Sequence, residues 1–247
     1  PSIQANLTNE YQNASEIPLM ISMDAEWGVG MRLDSVPKFP WNMSLGAIKN
    51  DLLIEKIGSE IGYQFKRLGI HMNFAPVIDI NTNSKNPIIG NRSYGENKIN
   101  VSEKGISFTK GIQSNNVLAT AKHFPGHGDT SKDSHLTLPT INFDEKRIKK
   151  VELYPFKKLI EDGLSAVMIA HLNVPSLEKE NMLPSTLSKN IIEKTLIKEL
   201  NFNGLIITDA LEMKGVSEFT KKNVDLMAFL AGNDILLMSS DISKGIK

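Results

Sequence analysis

Val117-Leu118-Ala119-Thr120-Ala121 runs straight into Lys122-His123-Phe124-Pro125-Gly126-His127-Gly128-Asp129-Thr130, and Ser131-Lys132-Asp133-Ser134-His135 follows at once. The first five residues are apolar and too few for a helix, so they read as a buried strand. The residues after them gather lysines, histidines and aspartates around a proline and two glycines. Such a sequence is a strand that stops at a site. Leu205-Ile206-Ile207-Thr208-Asp209 repeats the arrangement, with a carboxylate at the strand end. Both places point to an enzyme.

Working outward, short apolar runs alternate with helical patterns. Strands are predicted at 17–23, 71–79, 117–121, 166–171, 205–208 and 234–238, with Pro76 ending the second in mid-segment. Between 50 and 68, Leu53, Ile54, Ile57, Ile61, Phe65 and Leu68 recur at threes and fours, an amphipathic helix closed by Gly69. Further helices are expected over about 101–114, 143–162 and 222–231, and from an N-cap at Ser188 to a close near Gly204. Residues 1–16 are polar without a clear period and read as a loop or arm.

Alternating strands and helices imply parallel pairing with right-handed crossovers. Polar residues collect where strands end, at Asp24, Asp79, Lys122-His123, His171 and Asp209, which in a (β/α)₈ barrel is the active-site edge. The fold class expected is therefore α/β, of the TIM-barrel type. The count is about six strands, two short of closure, so residues 1–247 are expected to be a single catalytic barrel domain, a fragment lacking the first strands and cut at both ends.

The chain has 247 residues, 40% hydrophobic and 23% charged, which suits one large domain. Its 28 basic and 28 acidic side chains cancel, and no long basic cluster appears, which argues against a nucleic-acid partner. No apolar run approaches the roughly 20 residues of a membrane-spanning helix. Cysteine is absent, excluding disulfides and thiolate chemistry.

Asp209 on a rigid strand end can attack an anomeric carbon; the competing reading is a cap for the following helix. Glu212 is a rival carboxylate one turn further on. Asp133 and His135 are two apart, so an extended loop points both to one side, and the carboxylate would hold the imidazole ready as acid and base. A solvated polar loop is the plainer reading. Lys122 and His123 are adjacent on a strand and so should face opposite ways unless the chain bends at Phe124-Pro125. They either bind hydroxyls or pair structurally. His123, His127 and His135 could hold zinc, but their spacing fits none of the usual ligand patterns, and no metal is expected. Asp24 and Arg32 frame Trp27, which either stacks on a sugar or packs; Asp79 either orients Arg92 or touches substrate.

These residues resemble glycoside hydrolase family 3, in its bacterial β-N-acetylglucosaminidase branch. The resemblance rests on Lys-His-Phe-Pro-Gly-His-Gly at 122 to 128, on Asp-Ser-His at 133 to 135, and on the Ile-x-Asp-x-Leu-x-Met pattern from Ile207 to Met213. It implies Asp209 as nucleophile and His135, polarised by Asp133, as acid and base. It also implies Asp24, Arg32, Arg92, Lys122 and His123 as substrate-binding residues. Trp27-Gly28 stands where the family usually has two glycines, a departure that bears on the shape of the sugar subsite.

The function expected from the resemblance is retaining exo-hydrolysis of terminal β-linked N-acetylglucosamine from peptidoglycan fragments, with no cofactor. The partner is then a glycan, and a further C-terminal domain is expected in the full-length protein. Two other readings stand beside it: phosphorolysis on the same fold, and a glycan-binding module without catalysis. The compartment is either the bacterial cytoplasm or, for fused forms, outside it.

Overall fold

The structure, a computed structural model, describes residues 1–130, 137–180, 182–217, 219, 223–239 and 243. Five short strands, β1 (Ser22–Met23), β2 (Met72–Asn73), β3 (Leu118–Phe124), β4 (Ala166–Ile169) and β5 (Leu205–Thr208), form one parallel sheet in chain order. Ser22 lies opposite Met72, Met72 opposite Leu118, and Ala166 opposite Leu205. A sheet whose every neighbour is its successor requires a crossover back over the same face each time, and it curls as part of a barrel of the expected TIM type.

Helix α1 (Ser2–Ala14) precedes β1; the crossovers carry α2 (Asn42–Gly46), α3 (Asp51–Leu68), α4 (Lys98–Gln113), α5 (Glu145–Lys150), α6 (Leu153–Glu161) and a π-helix at Asn190–Glu199; and α7 (Lys214–Ser217) and α8 (Val224–Ala231) follow β5. Asn50 starts α3 by accepting the Leu52 N–H, and Gly69 ends it in the left-handed region. Two glycines let α3 and α4 touch backbone to backbone. A Cβ on Gly111 would stand 2.1 Å from the Glu55 carbonyl oxygen, and one on Gly58 2.4 Å from that of Phe108.

The sheet is apolar on both faces, as a parallel sheet covered on both sides must be. Ile54, Ile61, Phe65, Phe108 and Phe156 belong to the main core, between strands and helices. Met72, Phe74, Ala166, Met168 and Ile207 form a smaller cluster, which supports the floor of the site through Met168.

Several expectations are corrected. Residues 1–16 are not a loop: α1 occupies most of them, burying Thr8 and resting Ala5 on the core, while the Gln12 side chain exchanges hydrogen bonds with the Leu19 backbone. Of 17–23 only Ser22–Met23 pairs. The single helix expected over 143–162 is two, α5 and α6, separated at Val151 and Glu152. The sixth strand is reduced to one bridge, Ile207 with Ile235. The helix expected from Ser188 starts one residue later, with Lys189 at its N-cap, and is of the π type; Ser188 Oγ still accepts the Ile191 N–H from just outside it.

Candidate active site

The strand ends converge as a parallel barrel requires. A cavity of about 430 Å³ opens at the C-terminal edge of the sheet, lined on its polar side by Asp24, Arg32, Arg92, Lys122, His123 and Asp209. Sequence reasoning placed all six there, and the fold brings them together. Asp133 and His135 lie outside the described residues.

Lys122 and His123 both reach the cavity, contrary to the alternation of a regular strand. The register between β3 and β4 shifts between Ala121 and Phe124, so the regular alternation is broken across the pair itself.

Lys122 Nζ lies 2.6 Å from Asp24 Oδ1 and 2.9 Å from Glu26 Oε1. Arg92 forks onto Glu26, Nε to Oε2 at 2.9 Å and Nη2 to Oε1 at 2.7 Å. Arg32 closes the outer side by donating to the Asp24 carboxylate at 3.2 Å. Burial pushes the Glu26 carboxyl up, but Lys122 and Arg92 more than offset it and hold the group far below the usual carboxylate range. Burial likewise works against charge on Lys122, and Glu26 and Asp24 reverse it. The cluster thus stays charged because each ion is paired.

Asp79 does not orient Arg92; it holds the histidines. Its Oδ2 lies 2.7 Å from His123 Nδ1, and its Oδ1 accepts the His127 backbone N–H at 2.6 Å. Burial raises this carboxyl, and His123 chiefly brings it below its ordinary value. An ionised carboxylate only accepts, so the contact fixes Nδ1 as the protonated nitrogen and leaves Nε2 toward Arg92 Nη2 at 3.3 Å. His127 also lines the cavity; burial, then His123, push it down to about 4. Its Nδ1 is 2.6 Å from Thr130 Oγ1.

Asp209 sits one residue beyond β5, where its N–H bonds the Ile169 carbonyl at 2.9 Å and its Oδ1 accepts the Ala210 N–H at 2.8 Å. Behind it the buried His171 contacts the Ala210 carbonyl through Nε2 at 2.9 Å and Thr186 Oγ1 through Nδ1 at 2.6 Å. Burial raises the Asp209 carboxyl, but His123, His171 and the Ala210 N–H leave it below the ordinary value. A half-buried carboxylate kept ionised among hydrogen-bond donors has the properties of a nucleophile. Glu212, the rival carboxylate, lines the same cavity but is exposed.

Glu26 and Trp41 were missed from the sequence, and His127 was weighed there only as a zinc ligand. Glu26 stands two residues after Asp24, so both can turn to one side of an extended segment, and that spacing was the available signal. Trp27 packs, with its ring centroid 4.1 Å from that of Trp41, and also lines the cavity. Among the described residues no group of three or more His, Cys, Asp or Glu is placed to hold a metal ion. Nor is any described helix long and apolar enough to cross a membrane.

A half-barrel with a charged cavity at its C-terminal edge defines the class: a barrel-borne small-molecule site. The chain belongs to glycosyl hydrolase family 3, matching that family's N-terminal domain over residues 2–247. It is 38% identical to beta-hexosaminidase A of Pseudoalteromonas piscicida over 94% of this chain and 42% of that protein. The structure of a glycoside hydrolase family 3 beta-N-acetylglucosaminidase from Paenibacillus sp. str. FPU-7 superimposes with a TM-score of 0.91 at 44% identity, covering 95% of this chain and 46% of that one. The beta-glucoside phosphorylase BglX matches with a TM-score of 0.94 at 26% identity, over 99% and 46%. The chain thus spans less than half the length of each of these three.

Proposed function

We propose that residues 1–247 form a single catalytic domain that removes terminal β-linked N-acetylglucosamine from peptidoglycan-derived fragments with retention of configuration. The observation that carries this reading is Asp209, held ionised at the end of β5 and facing the same cavity as Asp24, Arg92, Lys122 and His123. The names of the Pseudoalteromonas and Paenibacillus relatives support the sugar.

Asp24 and Lys122 take hydroxyls of the terminal sugar, with Arg32, Arg92 and His123 completing the polar floor. Asp209 attacks the anomeric carbon and forms a glycosyl ester as the bond to the leaving oxygen breaks. His135, oriented by Asp133, gives its proton to that oxygen, then takes one from the water that cleaves the ester. The roles of Asp133 and His135 rest on the Asp-Ser-His motif. The Asp209 ester can be trapped with a 5-fluoro N-acetylglucosaminyl fluoride and located by peptide mass. Label on another residue, or undiminished turnover by Asp209→Ala where at least about a thousandfold loss is expected, overturns the assignment.

A second reading is phosphorolysis, favoured by the likeness to BglX. In it phosphate takes the place of water, and the product is sugar 1-phosphate instead of free sugar. Product analysis in phosphate buffer separates the two.

A further inference from the structure

We propose that Trp27 and Trp41 form a stacking wall at the cavity mouth for a second sugar ring, the one on the leaving-group side of the scissile bond. The proposal rests on the glycosidase reading above and adds a subsite to it.

The wall is fixed by the same residue from two directions. Trp27 follows Glu26, whose carboxylate grips the Arg92 guanidinium, and Trp41 precedes the fully buried Asn42, whose Nδ2 donates to the Arg92 carbonyl oxygen at 2.7 Å. Between the two segments the approach is close. Gly28 has φ +90, and a Cβ there would stand 2.6 Å from Phe39 Cδ2. The two indoles meet at 36° between planes. Both chain segments are thus pinned before any ligand arrives, and little ordering remains to be done on binding.

Polarity grades from floor to rim. Lys122 and Glu26 at the floor are 3% and 1% exposed, whereas Trp41 is 46% exposed and Met238 beside the opening 55%. Mutual packing alone would not leave so much indole open at the edge of a polar pocket. A pyranose carries its hydroxyls around the ring and presents C–H groups on its faces, so it needs both surfaces: hydrogen-bonding groups at the floor and an apolar plane at a ring face. In an exo-acting site the terminal sugar occupies the floor. The next ring emerges at the rim, where the indoles stand.

These two are the only tryptophans in the chain, so tryptophan emission reports on the wall alone. The test titrates the unmodified protein with N-acetylglucosamine and with thio-linked N,N′-diacetylchitobiose, which resists hydrolysis, following emission and calorimetric heat together. The disaccharide is expected to shift the emission. Trp41→Ala is expected to weaken disaccharide binding about five- to tenfold and monosaccharide binding by under about twofold. Calorimetric binding of the disaccharide with unchanged emission overturns the wall, needing no variant; so does a Trp41→Ala protein that binds the disaccharide as tightly as its parent. Heat from neither sugar overturns the glycan reading itself and the wall with it.

Discussion

Asp79 and His123 form a buried pair, Oδ2 to Nδ1 at 2.7 Å, and the same carboxylate accepts the backbone N–H groups of both His123 and His127. One side chain from the loop after β2 therefore sets the path of β3 as it leaves the sheet and the tilt of a ring in the cavity. Asp79→Asn keeps the volume and removes the charge. Because a buried charge network loses about 3 to 5 kcal/mol when one partner is removed, urea unfolding should show destabilisation of about 3 kcal/mol. An unchanged midpoint would mean that Asp79 is not the anchor.

Glu26 is the counter-ion shared by two cations. Glu26→Gln removes the carboxylate that Arg92 and Lys122 share and leaves Lys122 its ion pair with Asp24. The expected result is a rise in KM of at least about tenfold, since a single mispositioned charged hydrogen bond is worth about 1.5 to 3 kcal/mol. Asp24→Asn should act in the same direction. If KM on an aryl N-acetylglucosaminide stays put in both, the cluster does not bind sugar.

How much of this was legible in the sequence depends on the range of the interactions. Strand ends and the caps of α3 are local, and Asp24, Asp79, Lys122, His123 and Asp209 could be placed from the residues around them. Glu26 offered only its two-residue spacing from Asp24, because its meaning lies in Arg92 and Lys122, far along the chain. α1 escaped for another reason. Pro1 at its start makes no side-chain cap, and among its residues only Thr8 is buried. Its stability comes from packing onto α3, which no periodic stripe announces. Similarly, the position of Lys122 and His123 on one side depends on an irregular register that strand alternation cannot reveal.

His127 predicts how stability depends on pH. Its pKa is about 4 in the fold against an ordinary value of 6.5, so between those limits the unfolded chain binds the proton more tightly. Stability is then fully present above pH 6.5 and is lost as the pH falls toward 4, by up to about 3 kcal/mol. His127→Asn removes this contribution and should flatten the curve of melting temperature against pH over that window. A parent and variant with parallel curves would show that His127 is not held neutral.

Gly128 sets where the loop toward Asp133 and His135 departs. A Cβ there would stand 1.8 Å from the Ile80 carbonyl oxygen and 2.5 Å from its carbon, backbone atoms that cannot swing aside as a side chain can. The same loop is tied to its neighbour by Asn86 Nδ2 donating to the His127 carbonyl at 2.8 Å and by Asn83 Nδ2 to those of Asp129 and Thr130. Gly128→Ala must therefore push the two loops apart. Overpacking of this kind costs about 1 to 3 kcal/mol. The floor residues stay in place, so KM should change little. On the proposed assignment of Asp133 and His135 the acid-base segment then starts from a displaced point, and since a shift of about 1 Å at reacting groups can cost about a hundredfold, kcat should fall at least about tenfold. A fall in KM-dependent binding with kcat preserved would place the function of this loop in sugar recognition instead of proton transfer.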